Sequence, residues 1–377
     1  MMQYRDFGNT GEKLSLLGLG AMRLPQDSCG RTDHRESVRL IRRAIDCGIN
    51  YIDTAYTYQG GESETVLGEA LKDGYREKVM IADKMPAWLA DDSSDIEKMF
   101  ELQFRRLETG CIDMYLIHNI TGPIWNRAQK FGLLPFLEKK KKEGRIRYLG
   151  FSFHDDIQLF RQVLDCRDWD FCQIQLNYMD TEKQAGLSGL IYAGEKGVPV
   201  IIMEPLKGGR LADAVPATIQ KIWDRSPEKR SPAEWGLRWV GNLPQVNVIL
   251  SGMSSIEQLE ENIGIIERCT PGNLSAEDRR IIKAAAEEYD RLIQYPCTDC
   301  RYCMPCPQNV NIPRCIALYN EWFLYEKNPS TMLEYSTWMD KDQHASGCIK
   351  CGLCEEKCPQ HIHIREALEK TAVLFGD

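Results

Sequence analysis

Nine of the fifteen cysteines lie from residue 297 onward, and their spacing is regular. Cys348, Cys351, Cys354 and Cys358 precede Pro359 in a C-x2-C-x2-C-x3-C-P run. Thiolates at i, i+3 and i+6 wrap one side of a compact iron–sulfide cube, and a fourth thiolate followed by proline is turned toward a neighbouring cage. Cys297, Cys300, Cys303 and Cys306, followed by Pro307, repeat the run with one residue fewer before the last cysteine. Cys315 is left over, with an alternative role as fourth ligand in place of Cys306. A pair of structural zinc sites is the competing reading, but zinc asks for four ligands in two pairs, whereas each run offers three close thiolates and a Cys-Pro. Cys29, Cys47, Cys111, Cys166, Cys172 and Cys269 are scattered singly and read as free thiols.

A second set of residues is chemical by type: Asp53, Tyr58, Lys84 and His118. Singly each has a dull explanation, such as packing for a loop tyrosine or solvation for a lysine after a strand. Together they sit at or just beyond successive strand ends, where barrel enzymes place their chemistry.

The elements that must position them are read from pattern. Short β-branched runs alternate with amphipathic stretches from residue 14 to about 265, as a parallel sheet with crossover helices requires. The strand expectations are Leu14 to Leu19, Asn50 to Asp53, Val79 to Lys84, Asp113 to His118, Ile146 to Ser152, Phe171 to Asn177, Pro199 to Met203 and Val246 to Ser251. Helices are expected at Arg35 to Cys47, Ile96 to Leu107, Ser231 to Val240 and Ser275 to Ile293. Eight such units predict an α/β fold, a (β/α)8 TIM barrel over residues 1–291, followed by a small α-rich domain over 292–377 that carries the cysteines. The net charge of −8 and mixed charged surface argue against nucleic acid or an anionic membrane as partner. No apolar run reaches the length of a membrane span or signal peptide, which implies a cytoplasmic protein.

The segments Asp53-Thr54-Ala55-Tyr56-Thr57-Tyr58, Ile81-Ala82-Asp83-Lys84 and Asp113-Met114-Tyr115-Leu116-Ile117-His118 resemble the aldo-keto reductases. So do Gly18-Leu19-Gly20-Ala21-Met22-Arg23, Tyr148-Leu149-Gly150-Phe151-Ser152, Glu204-Pro205-Leu206 and the stretch from Ser254 to Asn262. The resemblance covers residues 4 to 265. It implies that Tyr58 is the acid that protonates a carbonyl oxygen, that the Lys84 ammonium eases its ionisation, that Asp53 holds Lys84, and that His118 orients the carbonyl. It further implies NADPH or NADH bound along the barrel mouth, at Gly20, Met22, Arg23 and Asp53, at Ser152 and Gln173, at Met203, Pro205 and Leu206, and at Gly252, Ser254, Gln258, Glu261 and Asn262. Residues 295 to 366 resemble the two-cluster ferredoxins, in which the last cysteine of each run serves the other cluster. That implies one 4Fe-4S cluster on Cys297, Cys300, Cys303 and Cys358, and another on Cys348, Cys351, Cys354 and Cys306.

Three departures bear on the cofactor. Phe153 follows Ser152 where an asparagine is usual, Met203 stands where many members stack a tyrosine, and Gln258 stands where NADPH-specific members often place arginine. The expected activity is reduction of a small aldehyde or ketone, or oxidation of the alcohol, with the clusters serving electron transfer, sensing or structure. Nicotinamide moves two electrons together and a cubane one, so a second reading has a flavin, which no motif marks, or a redox-active substrate convert between them while a redox protein partner feeds the clusters. A third reading makes the barrel a nucleotide-sensing regulatory protein. Substrate loops are expected at Met85 to Asp92, Asn119 to Lys130 and Lys207 to Pro227.

Overall fold

The computed structural model describes residues 1–213, 215–324, 327 and 329–377. It divides into two compact units, Met1–Leu206 with Ala233–Leu274, and Lys207–Pro232 with Ser275–Asp377.

The first unit is a closed barrel of eight parallel strands: β3 (Leu17–Gly20), β4 (Tyr51–Asp53), β5 (Met80–Met85), β6 (Ile112–Ile120), β7 (Ile146–Phe153), β8 (Phe171–Gln175), β9 (Val200–Met203) and β10 (Val246–Ser251), with β10 closing on β3. Its strands are almost wholly buried and mostly apolar because both faces are covered. The first expected strand is corrected. Leu14 belongs to β2 (Lys13–Ser15), which pairs antiparallel with β1 (Tyr4–Asp6), and the barrel strand begins only at Leu17. The break has local causes: Leu16 N–H turns to Gln3 O, and the Ser15 hydroxyl donates to Leu17 O. The hairpin carries Phe7, which is fully buried in the barrel-interior core with Leu14, Tyr51, Met114, Leu116, Phe171 and Val248. Glycine makes room for these rings: a Cβ on Gly18 would stand 2.7 Å from Val248 and 3.1 Å from Tyr51.

Helices form where caps and periodicity agree. Asp33 accepts from Glu36 N–H at the start of His34–Asp46, and Asp92 with Asp95 makes a reciprocal capping box before Ser93–Leu107. The expected Ser231 to Val240 helix is Pro232–Gly241, with proline in its first turn.

In the second unit the secondary structure of the described residues is helical. Its longest elements are Ala276–Leu292, capped by Ser275 and Asp278, then Ile312–Leu324 and Ile364–Phe375. Val310, Ile316, Leu318, Tyr335, Ile364 and Leu368 form the core, and Cys297, Cys303, Cys306, Cys348 and Cys358 pack against it. The expected substrate loop Lys207 to Pro227 falls in this unit, with Ala214 outside the described residues.

Candidate active site and cluster cavities

Asp53 ends β4, in register with Gly20 of β3 and Ala82 of β5. Lys84 lies on β5 opposite Leu116 of β6, and His118 lies two residues further along β6. The parallel register thus gathers a carboxylate, an ammonium and an imidazole near one end of three adjacent strands. Tyr58 comes from the turn Tyr58–Gly61, where Gln59 and Gly60 take positive φ. The Gln59 side-chain amide donates to Met22 O at 3.1 Å, which ties that turn to the Gly20–Arg23 segment.

The Lys84 ammonium is fully buried, and each of its three protons has an acceptor: Asp53 Oδ1 at 2.5 Å, Thr54 O at 2.7 Å and Tyr58 Oη at 3.2 Å. Burial pulls the Lys84 pKa down, and the Asp53 charge opposes that pull. Burial likewise raises the Asp53 carboxyl, against the counter-effects of Lys84 and of the Gln173 amide, which donates to Asp53 Oδ2 at 3.1 Å. The His118 ring stands edge-on to Tyr58, centroids 5.9 Å apart, and 5.0 Å from the Trp88 ring. Burial, then the Lys84 and His154 charges, hold His118 far below the usual imidazole range, so it is a neutral donor–acceptor at physiological pH.

The strand-end amides bear on a nicotinamide. Gln173 Oε1 is buried and meets no donor among the described residues, so it is an acceptor open to a polar ligand group. Ser152 Oγ accepts the Asn119 N–H at 2.7 Å, which leaves its own proton to donate. A carboxamide, with both an N–H and a carbonyl to satisfy, fits this pair. Met203 is half-buried at the end of β9, Glu204 follows at φ 53°, then Pro205 buried and Leu206 half-buried. Further round the barrel, Ser255 caps the helix Ile256–Ile266. Gln258 Oε1 turns back onto Ser254, accepting its N–H at 2.9 Å, and Asn262 donates to Ser251 Oγ. Glu261 is exposed, and the Arg23 side chain lies over Gly252, where a Cβ would meet it at 3.3 Å.

Four residues were given no role of their own by the sequence, although Trp88 and Asn119 fall within the expected substrate loops. Trp88 sits on a loop turn, and His154 directly follows β7. Thr54 contributes only its carbonyl to the Lys84 ammonium. Asn119 takes φ 54° at an irregularity in β6–β7 pairing between Ile117 and Ile120. Its place where an apolar run meets an expected substrate loop is the local signal for it.

In the second unit the cysteines line two cavities. One, with about 330 Å³ of free space, is bordered by Cys297, Cys300, Cys303 and Cys358. The other, with about 500 Å³, is bordered by Cys306, Cys348, Cys351 and Cys354, and Cys303 also reaches it. Both spaces are partly open to solvent, and what marks them is the donor set: four thiols facing one cavity are the ligands of a thiolate-held iron–sulfur cage. Among the described residues, no three Cys, His, Asp or Glu side chains converge on a single-ion point. Cys315 borders neither cavity: it is buried, its thiol directed to Gln343 O at 3.7 Å, and burial pushes its pKa up to about 12. The eight cysteines expected as ligands thus border the two cavities, with Cys303 common to both.

Comparison with known proteins agrees with both regions. The model of the Aldo/keto reductase family matches residues 16–287, and that of a 4Fe-4S dicluster domain matches 296–363. L-galactose dehydrogenase of Arabidopsis thaliana is 27% identical over 314 residues, covering 77% of this chain and 96% of that protein. The NADH-specific methylglyoxal reductase of Escherichia coli is 26% identical over 339 residues, covering 77% of this chain and 100% of the relative. Among solved structures, an aldo-keto reductase from Bacillus halodurans in its holo form superposes with a TM-score of 0.62 at 27% identity, covering 76% of this chain and 96% of that one. One from Klebsiella pneumoniae in complex with NADPH gives 0.60 at 25%, covering 75% and 95%.

Proposed function

Because the chain belongs to the aldo/keto reductase family, we propose that its barrel reduces a small aldehyde or ketone with NADPH or NADH, or oxidises the corresponding alcohol, with Tyr58 as the acid or base. The observation that carries this reading is the Lys84 ammonium set between Asp53 and Tyr58, 3.2 Å from the phenol oxygen. The nicotinamide, when bound, supplies a hydride to the carbonyl carbon. The chain's own residues manage the oxygen. Tyr58 gives its proton to the oxygen as negative charge develops there, and the phenolate left behind is stabilised by Lys84. Asp53 keeps the ammonium in place, and neutral His118 donates to the carbonyl oxygen and orients it. Ser152 and the free Gln173 oxygen hold the carboxamide, while Gly20, Met22, Arg23, Met203, Pro205 and Leu206 border the same face. Gly252, Ser254, Gln258, Glu261 and Asn262 are assigned to the phosphate end, beside the N-terminus of Ile256–Ile266.

Residues 292–377 form a second domain, after a barrel domain of 1–291, and hold two 4Fe-4S clusters, one on Cys297, Cys300, Cys303 and Cys358 and one on Cys306, Cys348, Cys351 and Cys354. The clusters, when bound, store and pass single electrons. Cys351 is exposed, between Ile349 at 62% and Leu353 at 45% exposure, which supports electron exchange with a redox protein partner there. No helix of the described residues is long and apolar enough to cross a membrane. A reducing cytoplasm suits eight thiolate ligands.

The test is anaerobic reduction of an aldehyde panel by NADPH and by NADH, with Tyr58→Phe alongside. A loss of about 10²- to 10⁴-fold is expected for removal of a general acid. If the variant keeps most of the rate, Tyr58 is not the acid.

A further inference from the structure

Behind Lys84 lies a buried acid pair that the chemistry above does not use. Asp83 on β5 and Glu64 on the helix Glu62–Ala70 are both 0% exposed. One oxygen of each is satisfied: Asp83 Oδ1 accepts the Lys84 backbone N–H at 2.8 Å, and Glu64 Oε2 accepts from Arg106 Nη1 at 2.7 Å. The other two, Asp83 Oδ2 and Glu64 Oε1, are buried and meet no well-formed donor among the described residues; the Gln103 amide lies close enough to Glu64 to steady its charge, and the two carboxyl side chains lie within reach of each other. A proton between two carboxyl groups so placed satisfies both facing oxygens at once.

The surrounding charges agree. Arg106, on Ser93–Leu107, faces Glu64 and lies over the Tyr56 ring. The Lys84 ammonium is already balanced by Asp53. Tyr115 and Gln103 close the remaining side, with Tyr115 donating to Gln103 Oε1 and Gln103 Nε2 donating to Lys84 O at 3.1 Å. With one proton on the pair, Asp53, Lys84, Glu64 and Arg106 sum to zero; with none, an unbalanced negative charge remains in the interior, where desolvation makes it costly. Burial and the Glu64 charge push the Asp83 carboxyl well up, while the Arg106 ion pair and the Gln103 amide oppose the rise at Glu64, which favours the proton on Asp83.

We propose that Asp83 and Glu64 share one proton as an acid–carboxylate pair, and that the pair is a positioning device that fixes the Lys84 backbone and keeps a second negative charge from its ammonium. A second carboxylate there would hold the ammonium more tightly and weaken its pull on the Tyr58 phenolate. The second half rests on the reading of Tyr58 as the acid; the first half stands on packing alone.

Two variants of the full chain with its clusters test it. Asp83→Asn keeps shape and neutrality, and its amide can donate to Glu64. Glu64→Gln removes the carboxylate, so Arg106 draws the charge onto Asp83. The alkaline limb of the pH–rate profile for aldehyde reduction is expected to hold its place in Asp83→Asn and to move up by about one unit in Glu64→Gln. The inverse pattern, or a limb that neither variant moves, overturns the positioning role. Infrared spectra of protein carrying carboxyl-labelled aspartate read the proton directly, whether or not the barrel reduces a carbonyl. A protonated-carboxyl band at neutral pH that Asp83→Asn abolishes, or that Glu64→Gln abolishes if the first variant fails to fold, is the expected result. Its absence from the wild type overturns the pair. Stability gives the same sign. A carboxyl raised in the folded state ionises more readily when unfolded, so its contribution falls as pH rises above the ordinary carboxylate value. Asp83→Asn should therefore gain in melting temperature relative to wild type between about pH 4 and pH 8.

Discussion

The barrel site and the cysteine module solve the same problem, holding reactive groups in fixed relation, by opposite means. In the barrel, Asp53, Lys84, His118, Ser152 and Gln173 ride on five consecutive strands whose register is set by backbone hydrogen bonds. The acceptors of the Lys84 ammonium are all the protein's own. In the module, the cysteines ride on turns and short helical pieces such as Leu353–Glu356, and Asp299, Arg301, Asn309, Lys350 and His361 all take positive φ among them. Left-handed backbone at ordinary residues is unfavourable unless something else fixes it; Gln59, Asn119 and Glu204 of the barrel take it too, but there beside paired strands that hold the chain. The lesson is that the barrel site is organised by its scaffold, whereas the module is organised around what its thiols bind.

The strongest challenge to that contrast is removal of iron. Anaerobic chelation should abolish the amide-exchange protection of residues 296–363 while the barrel strands keep theirs, because ligand binding and folding are one process when the site is built on loops. A module that stays protected without iron would show that its small apolar core suffices. The converse experiment strikes the barrel: Asp53→Asn leaves the fully buried Lys84 without its counter-charge, and breaking such a pair costs about 3 to 5 kcal/mol. Chemical denaturation should show that loss in the barrel transition. A variant with unchanged stability would mean that Lys84 is neutral.

How much of this could be read from the sequence follows from the same contrast. Seven of the eight barrel strands lie within about two residues of their expected ends, because strands buried on both faces are continuous apolar runs bounded by polar turns. The first misled, since Leu14 to Leu19 looks like one run and only a tertiary partner, the Tyr4–Asp6 strand, divides it. Asp53, Lys84 and His118 were visible as ionisable residues closing such runs. The Gln173–Asp53 hydrogen bond spans 120 residues, and no local pattern could announce it. Arg106 reads as one more surface charge on an amphipathic helix, and its pairing with buried Glu64 is a product of packing. The cysteines were fully visible because i, i+3, i+6 spacing is local; their crossing between clusters came from resemblance.

A smaller effect probes the phosphate end. Gln258 turns its carbonyl oxygen onto Ser254 and offers no cation to a 2′-phosphate. Gln258→Arg should shift preference toward NADPH by about tenfold in kcat/KM, the scale of one well-placed guanidinium contact. No shift would place the 2′-position of the ribose elsewhere on the rim.

The smallest effect is a factor of two, and it decides the module's ligand set. Iron in anaerobically purified protein should be about eight atoms per chain, and about four in Cys306→Ser, since each cubane carries four. Cys315→Ser should leave the count unchanged. The two cysteines differ in setting: Cys306 borders the cavity of Cys348, Cys351 and Cys354, whereas Cys315 is buried on Ile312–Leu324, bonded to Gln343 O and bordering neither cavity. For Cys315 to bind, the helix that forms the module's core would have to turn; for Cys306 no element has to move. If Cys315→Ser halves the iron and Cys306→Ser does not, the shorter first run is not the ligand run it resembles, and the helix is rebuilt around a cluster. That outcome would extend the module's dependence on its iron from its turns to its core.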